Sequence, residues 1–561
     1  MVHSSNALLT RQLALQPEAV AFVISGQPVT VRQFEALVRR AAVRLADQGL
    51  GRGDVLALWL VNGLDWLVLY FAANRLGLSV MTVNTRYRST EVAYLLARSR
   101  PKLLVLQRRF RQIDFAAMLA EVDATSASSL QAVWLVDDPA DADADADAAT
   151  DMATGSAPAL PTLLGLEAQA FDLHALPEQT GHAELPPLDE PDLPSIMFTT
   201  SGTTSGPKLV VHSQRTVAVH LQQVAMALQL RTPGTRLLAA LPLAGVFGFV
   251  SALAFFAAGQ PVVVNASFDA AECAKQLQQP APEAITHFFG SDEMFEAVLQ
   301  QVPGSGASGP GGASPFPALR LCGFAAFRAG AHGVARAAVL RGLPMVGLYG
   351  SSEVFALFSL QRPDRALDER LEGGGSLVNP DAQLRVRDAD TGALLGPGEV
   401  GLLEIRSPSN FLGYLNNPDA TAEALAADGF FRTGDIGLLR ADGSFVYQTR
   451  AGDAIRLGGY LVAPAEIEEL VKAEPGIHAA QVVAVDWQGK TRAVAFVVLA
   501  EGAAFSAQAL IDRLGPQLAA FKLPLRIWQV DAFPVVNSAN GTKIQRHKLR
   551  EWAQQNLARE H

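Results

Sequence analysis

Residues 11–110 switch between two periodicities. After Thr30, the run Val-Arg-Gln-Phe-Glu-Ala-Leu-Val-Arg-Arg-Ala-Ala-Val-Arg-Leu-Ala repeats apolar side chains every three or four positions. Behind a threonine able to accept a helix-terminal amide, that pattern predicts an amphipathic helix. Gly51-Arg-Gly-Asp then introduces the apolar run 55–61, of strand character, and 65–77 returns to a helical pattern. Apolar runs at 196–199 and 343–348 predict further strands. Over 384–446 short β runs are separated by the turn dipeptides Thr391-Gly392, Pro397-Gly398, Thr433-Gly434 and Asp442-Gly443. Past Arg450 comes a compact piece with a helix starting at Pro464 and strands near 481–485 and 493–499. The patterning is α/β, with a small β-rich section and a separate C-terminal unit.

The stretch 237–267 carries no charge and is long enough to span a bilayer. Pro242, Gly245, Gly248, Gly259 and Pro261 interrupt it, and Pro261-Val-Val-Val has the texture of a buried strand following a helix. No integral membrane association is expected. An Ala/Asp repeat at 137–162 and a Gly/Ser/Pro-rich stretch at 303–317 predict solvated surface loops. Two literal G-x-G-x-x-G matches, at 304–309 and 396–401, do not open a helix after a strand, so neither is a dinucleotide site.

A chain of 561 residues exceeds one hydrophobic core and should divide into at least two domains. Its formal net charge of −10 argues against nucleic acid as a partner, so any anionic ligand must be met by local donors. Cys273 and Cys322 are the only cysteines and form neither a metal-ligand spacing nor a disulfide framework. With an N-terminus that lacks a basic start and sustained apolar core, this fits a cytoplasmic protein.

Chemistry concentrates at 196–213, Ile-Met-Phe-Thr-Thr-Ser-Gly-Thr-Thr-Ser-Gly-Pro-Lys-Leu-Val-Val-His-Ser. Thr200, Ser201, Thr203, Thr204 and Ser205 offer hydroxyl donors, Gly202 and Gly206 admit close backbone approach, and Lys208 supplies a point charge. Such a loop suits a polyphosphate, and ATP is the reagent inferred. The Walker pattern fails, because Pro207 follows Gly206 and Leu209 follows Lys208.

The stretch resembles the phosphate loop of the acyl-adenylate-forming superfamily, [ST]-S-G-[ST]-T-G-x-P-K, with Ser205 departing from the usual glycine. Four more segments carry the resemblance in order: Tyr349-Gly-Ser-Ser-Glu353; Thr433-Gly-Asp435 behind Gly429-Phe-Phe-Arg; Arg450-Ala-Gly-Asp453; and Asn540-Gly-Thr-Lys-Ile-Gln-Arg546. The resemblance implies that Tyr349 packs on adenine, Ser352 contacts the α-phosphate and Glu353 helps hold Mg²⁺, a cation that favours carboxylate and phosphate oxygens. It implies further that Asp435 and Arg450 reach the ribose, and that Lys543 is the catalytic lysine bridging the attacking carboxylate and the α-phosphate. At the family's hinge this chain has Gly452 where an aspartate often stands and Arg456 for a lysine, which leaves the pivot residue open.

The implied fold is a large N-terminal domain, 1–450, of two α/β sheets plus a small β-rich subdomain, with a small, mobile α+β C-terminal domain, 451–561. The implied activity is that of an AMP-forming acyl-CoA synthetase using ATP, Mg²⁺ and CoA. The alternative is a stand-alone adenylating enzyme that loads the pantetheine of a free acyl carrier protein, since only a short tail follows Lys543. Ala244 and Gly245 stand where many relatives carry bulk. With Phe247, Phe249, Phe255, Phe256, Phe288, Phe289, Phe324 and Phe327, which the resemblance places in the segments that line the acyl pocket in relatives, they predict a roomy apolar pocket for a fatty or aryl acid.

Overall fold

Two helices that are apolar around their whole circumference, Leu64–Arg75 and Val246–Ala258, must be covered on every side. In the computed structural model they lie in the core between two large sheets, together with Val31–Asp47 and Gln214–Ala227. This explains the uncharged stretch around 237–267. Strand Leu237–Ala239, helix Val246–Ala258 and strand Val262–Val264 all belong to one interior, and among the described residues no helix is long and apolar enough to cross a membrane. The structure describes residues 1–137, 162–177, 187–200, 207–302, 314–325, 331–452, 454–457, 460–488, 490–518, 520–538 and 541–559. The Ala/Asp repeat and the glycine-rich match at 304–309 fall almost wholly outside them. The match at 396–401 is a turn leading into the antiparallel strand Val400–Arg406, as its flanking sequence predicts.

The first sheet has eight strands. Gln169–Ala170, Ala132–Val136, Leu103–Gln107, Val55–Trp59, Ser79–Thr82 and Pro194–Thr199 run parallel, and the antiparallel Leu209–Ser213 and Gly413–Tyr414 complete it. The second has thirteen and is mixed. Its parallel half includes Leu237–Ala239, His287–Ser291, Leu321–Ala325 and Met345–Tyr349. The β-rich section is the antiparallel continuation of this same sheet through Ser359–Leu360 and Gly373–Leu377 to Phe445–Arg450, Phe431–Leu439, Val400–Arg406 and Gln383–Arg387. The smaller C-terminal domain builds its own cores. Ile455, Leu457, Ile467 and Val482 pack in one cluster, and Val483, Phe496 and Leu549 in another, on opposite faces of the strands Ile477–Trp487 and Lys490–Leu499. Helix Val31–Asp47 carries the predicted cap at Thr30, which the Gln33 side chain returns by accepting from the Thr30 amide, and the helix at Pro464 runs to Lys472.

Candidate functional site

The ends of the hydroxyl-rich loop are held by a strand pair. Thr199 and Leu209 lie opposite each other, the Thr200 amide donates to the Lys208 carbonyl at 2.9 Å, and the Lys208 amide donates to Thr200 Oγ1 at 3.3 Å. Thr200 and Lys208 therefore close the base of the loop, while Ser201, Gly202, Thr203 and Thr204 lie outside the described residues. The Lys208 ammonium stands 4.7 Å from the centre of the Tyr414 ring, a cation–π distance. Tyr414 arrives there because Gly413–Tyr414 pairs with Leu209–Ser213, placing Tyr414 opposite Val210. Gly413 has φ +146°, and a Cβ on it would meet Thr421 at 2.9 Å, so the chain can pass only as glycine. The Tyr414 hydroxyl donates to Glu353 Oε1 at 2.9 Å and so joins the two predicted charge-bearing residues. Nothing in the sequence marks this tyrosine, which sits between a β-branched-poor apolar run and the helix cap at Asn417.

Beyond strand Met345–Tyr349 the chain doubles back sharply. A Cβ on Gly350 would lie 2.6 Å from Ala356 Cα, and the Ala356 and Phe358 amides donate to the carbonyls of Ser351 and Tyr349 at 2.9 and 3.0 Å. Phe355, Ala356 and Leu357 follow one another with φ of 64°, 46° and 38°. Left-handed backbone costs a non-glycine residue about 1–2 kcal/mol, so three in succession need outside support. Two fully buried histidines provide it. His212 Nε2 is 2.7 Å from the Ser352 carbonyl and His220 Nε2 is 2.8 Å from that of Ala356. Burial pulls the His212 imidazole down to about 3 and that of His220 to about 4, so both are neutral at physiological pH.

A second polar group lies on the antiparallel half of the second sheet. Asp435 and Arg450 are register partners on adjacent strands, with Arg450 Nε 2.9 Å from Asp435 Oδ1. The Tyr349 hydroxyl donates to Asp435 Oδ2 at 2.5 Å, while its ring packs between Phe445 and Tyr447 at 5.3 and 5.5 Å. The Thr433 hydroxyl accepts from the Asp435 amide at 2.9 Å and donates to the Leu403 carbonyl, fixing the turn. Burial pushes the Asp435 carboxyl up to about 6, against the opposing pull of Arg450, and the charge of Glu353 reaches it too. Asp435 Oδ1 is buried and ion-paired, yet takes no hydrogen bond among the described residues. A ligand hydroxyl fits that vacancy in its bonding.

The predicted residues thus gather into two linked groups, Thr200, Lys208 and Glu353 through Tyr414, and Tyr349, Asp435 and Arg450. Ser352 stands beside Glu353 with its carbonyl on His212. Lys543 is in the strand Gly541–Ile544, opposite Val536, and its side chain lies outside the described residues. Arg546, three residues on, is fixed by bonds from Nη2 to both oxygens of buried Glu468 at 2.9 and 3.1 Å.

The predicted pocket of phenylalanines needs correction. Phe255 and Phe256 belong to the core between the sheets, where Phe256 stacks on Phe22 and meets Phe71, and Phe288 and Phe324 lie in a different cluster, with Phe295. Alternating strand geometry separates Phe288 from Phe289 in this way, since neighbours point to opposite faces. Phe327 is outside the described residues. The apolar cavity that Phe289 does line, with Leu348, Leu357, Leu360, Val224 and Leu228, measures about 10 Å³, which is room for one water.

Residues 9–415 match the family described as AMP-binding enzyme, and residues 466–558 match the AMP-binding enzyme C-terminal domain. The chain is 26% identical to the 2-succinylbenzoate–CoA ligase of Bacillus licheniformis, over 96% of this chain and 98% of that protein. It is 26% identical to the 3-hydroxybenzoate–CoA/4-hydroxybenzoate–CoA ligase of Thauera aromatica, over 96% and 95%, and 28% identical to the pyochelin synthase PchD of Pseudomonas aeruginosa, over 97% and 91%. ATP-bound MatB from Rhodopseudomonas palustris has the same fold, with a TM-score of 0.75 at 24% identity over 97% of this chain and 98% of that one. With a match spanning most of its length, the chain belongs to the AMP-binding enzyme family.

Proposed function

We propose that this protein is an AMP-forming acyl-CoA ligase that joins a fatty or aryl carboxylic acid to CoA at the expense of ATP, in the cytoplasm. The observation that carries the reading is the buried Asp435, paired with Arg450 and Tyr349 and retaining an unfilled acceptor, in a chain whose family match continues into the C-terminal unit. A carboxylate is a poor acyl donor until its oxygen becomes a better leaving group. Attack of the acid on the α-phosphorus of ATP gives acyl-AMP and pyrophosphate, and attack of the CoA thiol on the acyl carbon then releases AMP.

In this scheme the loop from Thr200 to Lys208, including Ser201, Gly202, Thr203 and Thr204, holds the phosphates, and Lys208 balances their charge. Tyr349 lies against the adenine, Ser352 donates to the α-phosphate, and Asp435 accepts from the ribose with Arg450 beside it. Glu353 supplies one carboxylate for Mg²⁺, and among the described residues no group of three or more acidic, histidine or cysteine side chains is arranged so that it could hold a metal ion. That donor set suits an ion held by one carboxylate together with substrate phosphates rather than by a protein cage. Mg²⁺ so held neutralises phosphate charge. Lys543 stabilises the charge that develops between acid and α-phosphate. The two domains are taken as 1–450 and 451–561, the second turning about 450–453 between the half-reactions so that Lys543 leaves as CoA enters.

The test is pyrophosphate release over a panel of carboxylic acids with MgATP, followed by thioester formation with CoA or with a free carrier protein. Acid-dependent release and a CoA thioester are expected. Release with thioester on the carrier alone moves the acceptor to pantetheine, and no acid-dependent release with any acid overturns the reading.

A further inference from the structure

Phe355 is the residue around which the loop 350–357 turns, and its ring is wedged between two imidazoles, His212 at 4.4 Å and His220 at 5.5 Å between centroids. The histidines come from different elements. His212 is on the strand that leaves the phosphate loop, four residues beyond Lys208, and His220 is two turns of helix further on, within Gln214–Ala227. A carbonyl oxygen can only accept, so each short contact fixes the tautomer: Nε2 carries the proton and Nδ1 is bare. Neither Nδ1 has a partner among the described residues, so the one bond each ring makes in the site is the one to the loop. One of those bonds falls before the left-handed run, at Ser352, and the other in its middle, at Ala356. The Glu353 carbonyl, between them, accepts from the Phe411 amide at 2.8 Å.

We propose that His212 and His220 are positioning residues that hold Ser352 and Glu353 in place by clamping the strained backbone that follows them. The strand Leu209–Ser213 runs from Lys208 directly to His212, so the placing of Lys208 against Glu353 is set by one rigid element rather than by two independent loops. Neither histidine touches the reacting atoms. The effect on catalysis rests on the ligase reading; the clamp itself does not, and can be measured without turnover.

Leucine and glutamine at each position separate the bond from the bulk, because glutamine presents an N–H at nearly the reach of Nε2 and leucine presents none. In His212→Leu and His220→Leu, amide hydrogen exchange across 350–358 should rise about tenfold or more, and kcat for pyrophosphate release should fall by a similar factor while KM for the acid changes little. His212→Gln and His220→Gln should recover most of both. Nitrogen NMR of the unaltered protein should show both imidazoles neutral with the proton on Nε2, which gives a readout even where a leucine variant fails to fold. Unchanged exchange in the leucine variants, glutamine variants as impaired as leucine ones, or a proton on Nδ1 would each overturn the clamp. A protein inert toward every acid would overturn the ligase reading alone, and the exchange and NMR measurements would still judge the clamp.

Discussion

Tyr414 is the residue whose importance rests most on structure, since its ring meets Lys208 and its hydroxyl meets Glu353. Tyr414→Phe keeps the first contact and removes the second. A hydrogen bond to a charged group contributes about 1.5–3 kcal/mol, so kcat for adenylation should fall roughly ten- to a hundredfold, with a raised Mg²⁺ requirement. Tyr414→Leu should be worse, because Lys208 then also loses its seat. Equal rates for the phenylalanine variant and the parent would remove Tyr414 from the site. Sequence made Lys208, Glu353 and Asp435 legible because their types are scarce and chemically pointed in glycine-rich turns. It left Tyr414, His212 and His220 hidden, because an aromatic or imidazole among apolar neighbours reads as core; cross-strand register brings Tyr414 to the polar residues, and the folding of loop 350–357 onto a strand and a helix brings the two histidines.

At the scale of elements, the C-terminal hairpin bearing Lys543 is tied down through the buried carboxylate of Glu468 and its partner Arg546. Glu468, on helix Pro464–Lys472, accepts from the Val482 amide at 2.8 Å and from Arg546, which opens helix Arg546–Arg559 directly after strand Gly541–Ile544. Removing one partner of a fully enclosed pair costs about 3–5 kcal/mol, and less here because the Arg546 side chain keeps 22% of its surface in solvent. Glu468→Gln, which keeps shape and loses charge, should therefore destabilise the C-terminal unit by roughly 1–2 kcal/mol. Urea unfolding monitored by amide hydrogen exchange across 464–499 and 541–559 reads that unit, and an unshifted midpoint would refute the pair's role. The strands and helices here were readable from periodicity, as were those of the parallel halves. Sheet membership was not. The β-rich section reads as a separate subdomain because its turns are short and regular, yet backbone pairing across Leu348–Leu360 and Leu360–Ser376 makes it continuous with the parallel sheet. The phenylalanine pocket failed for a related reason, since lying in segments that line a pocket in relatives does not tell which face of a strand or helix a ring occupies.

Two consequences belong to the molecule as a whole. The first is the division of labour between its domains. If Lys543 serves only the adenylating arrangement, Lys543→Ala should abolish pyrophosphate release while thioester formation from supplied acyl-AMP survives, and equal loss of both in single turnovers would count against a turning domain.

The second is the pH dependence of stability, which depends on His287 on a strand, His220 on a helix and the partly buried Asp65 on another helix. Burial, with a further push from Arg320, lowers His287 to about 4, and burial lowers His220 to the same value, from an ordinary 6.5. Between 6.5 and about 4 the unfolded chain binds protons that the folded one refuses, so each histidine removes stability as pH falls, by about 1.4 kcal/mol per pH unit. Asp65 acts in the opposite sense. Burial raises its carboxyl from 3.8 to about 6, so across that interval the folded chain takes up a proton first and stability is regained as pH falls. The opposing groups make the parent's curve shallower than its histidines alone would. His287→Gln should flatten the fall between pH 6.5 and pH 5 by about 2 kcal/mol, and Asp65→Asn should steepen it between pH 6 and pH 4, whatever offset either substitution adds at neutral pH. Denaturant titrations at a series of pH values measure these slopes directly. A His287→Gln curve parallel to the parent's would mean that His287 already exchanges its proton freely in the folded state, and that the His287–Ser291 strand opens more readily than its burial implies.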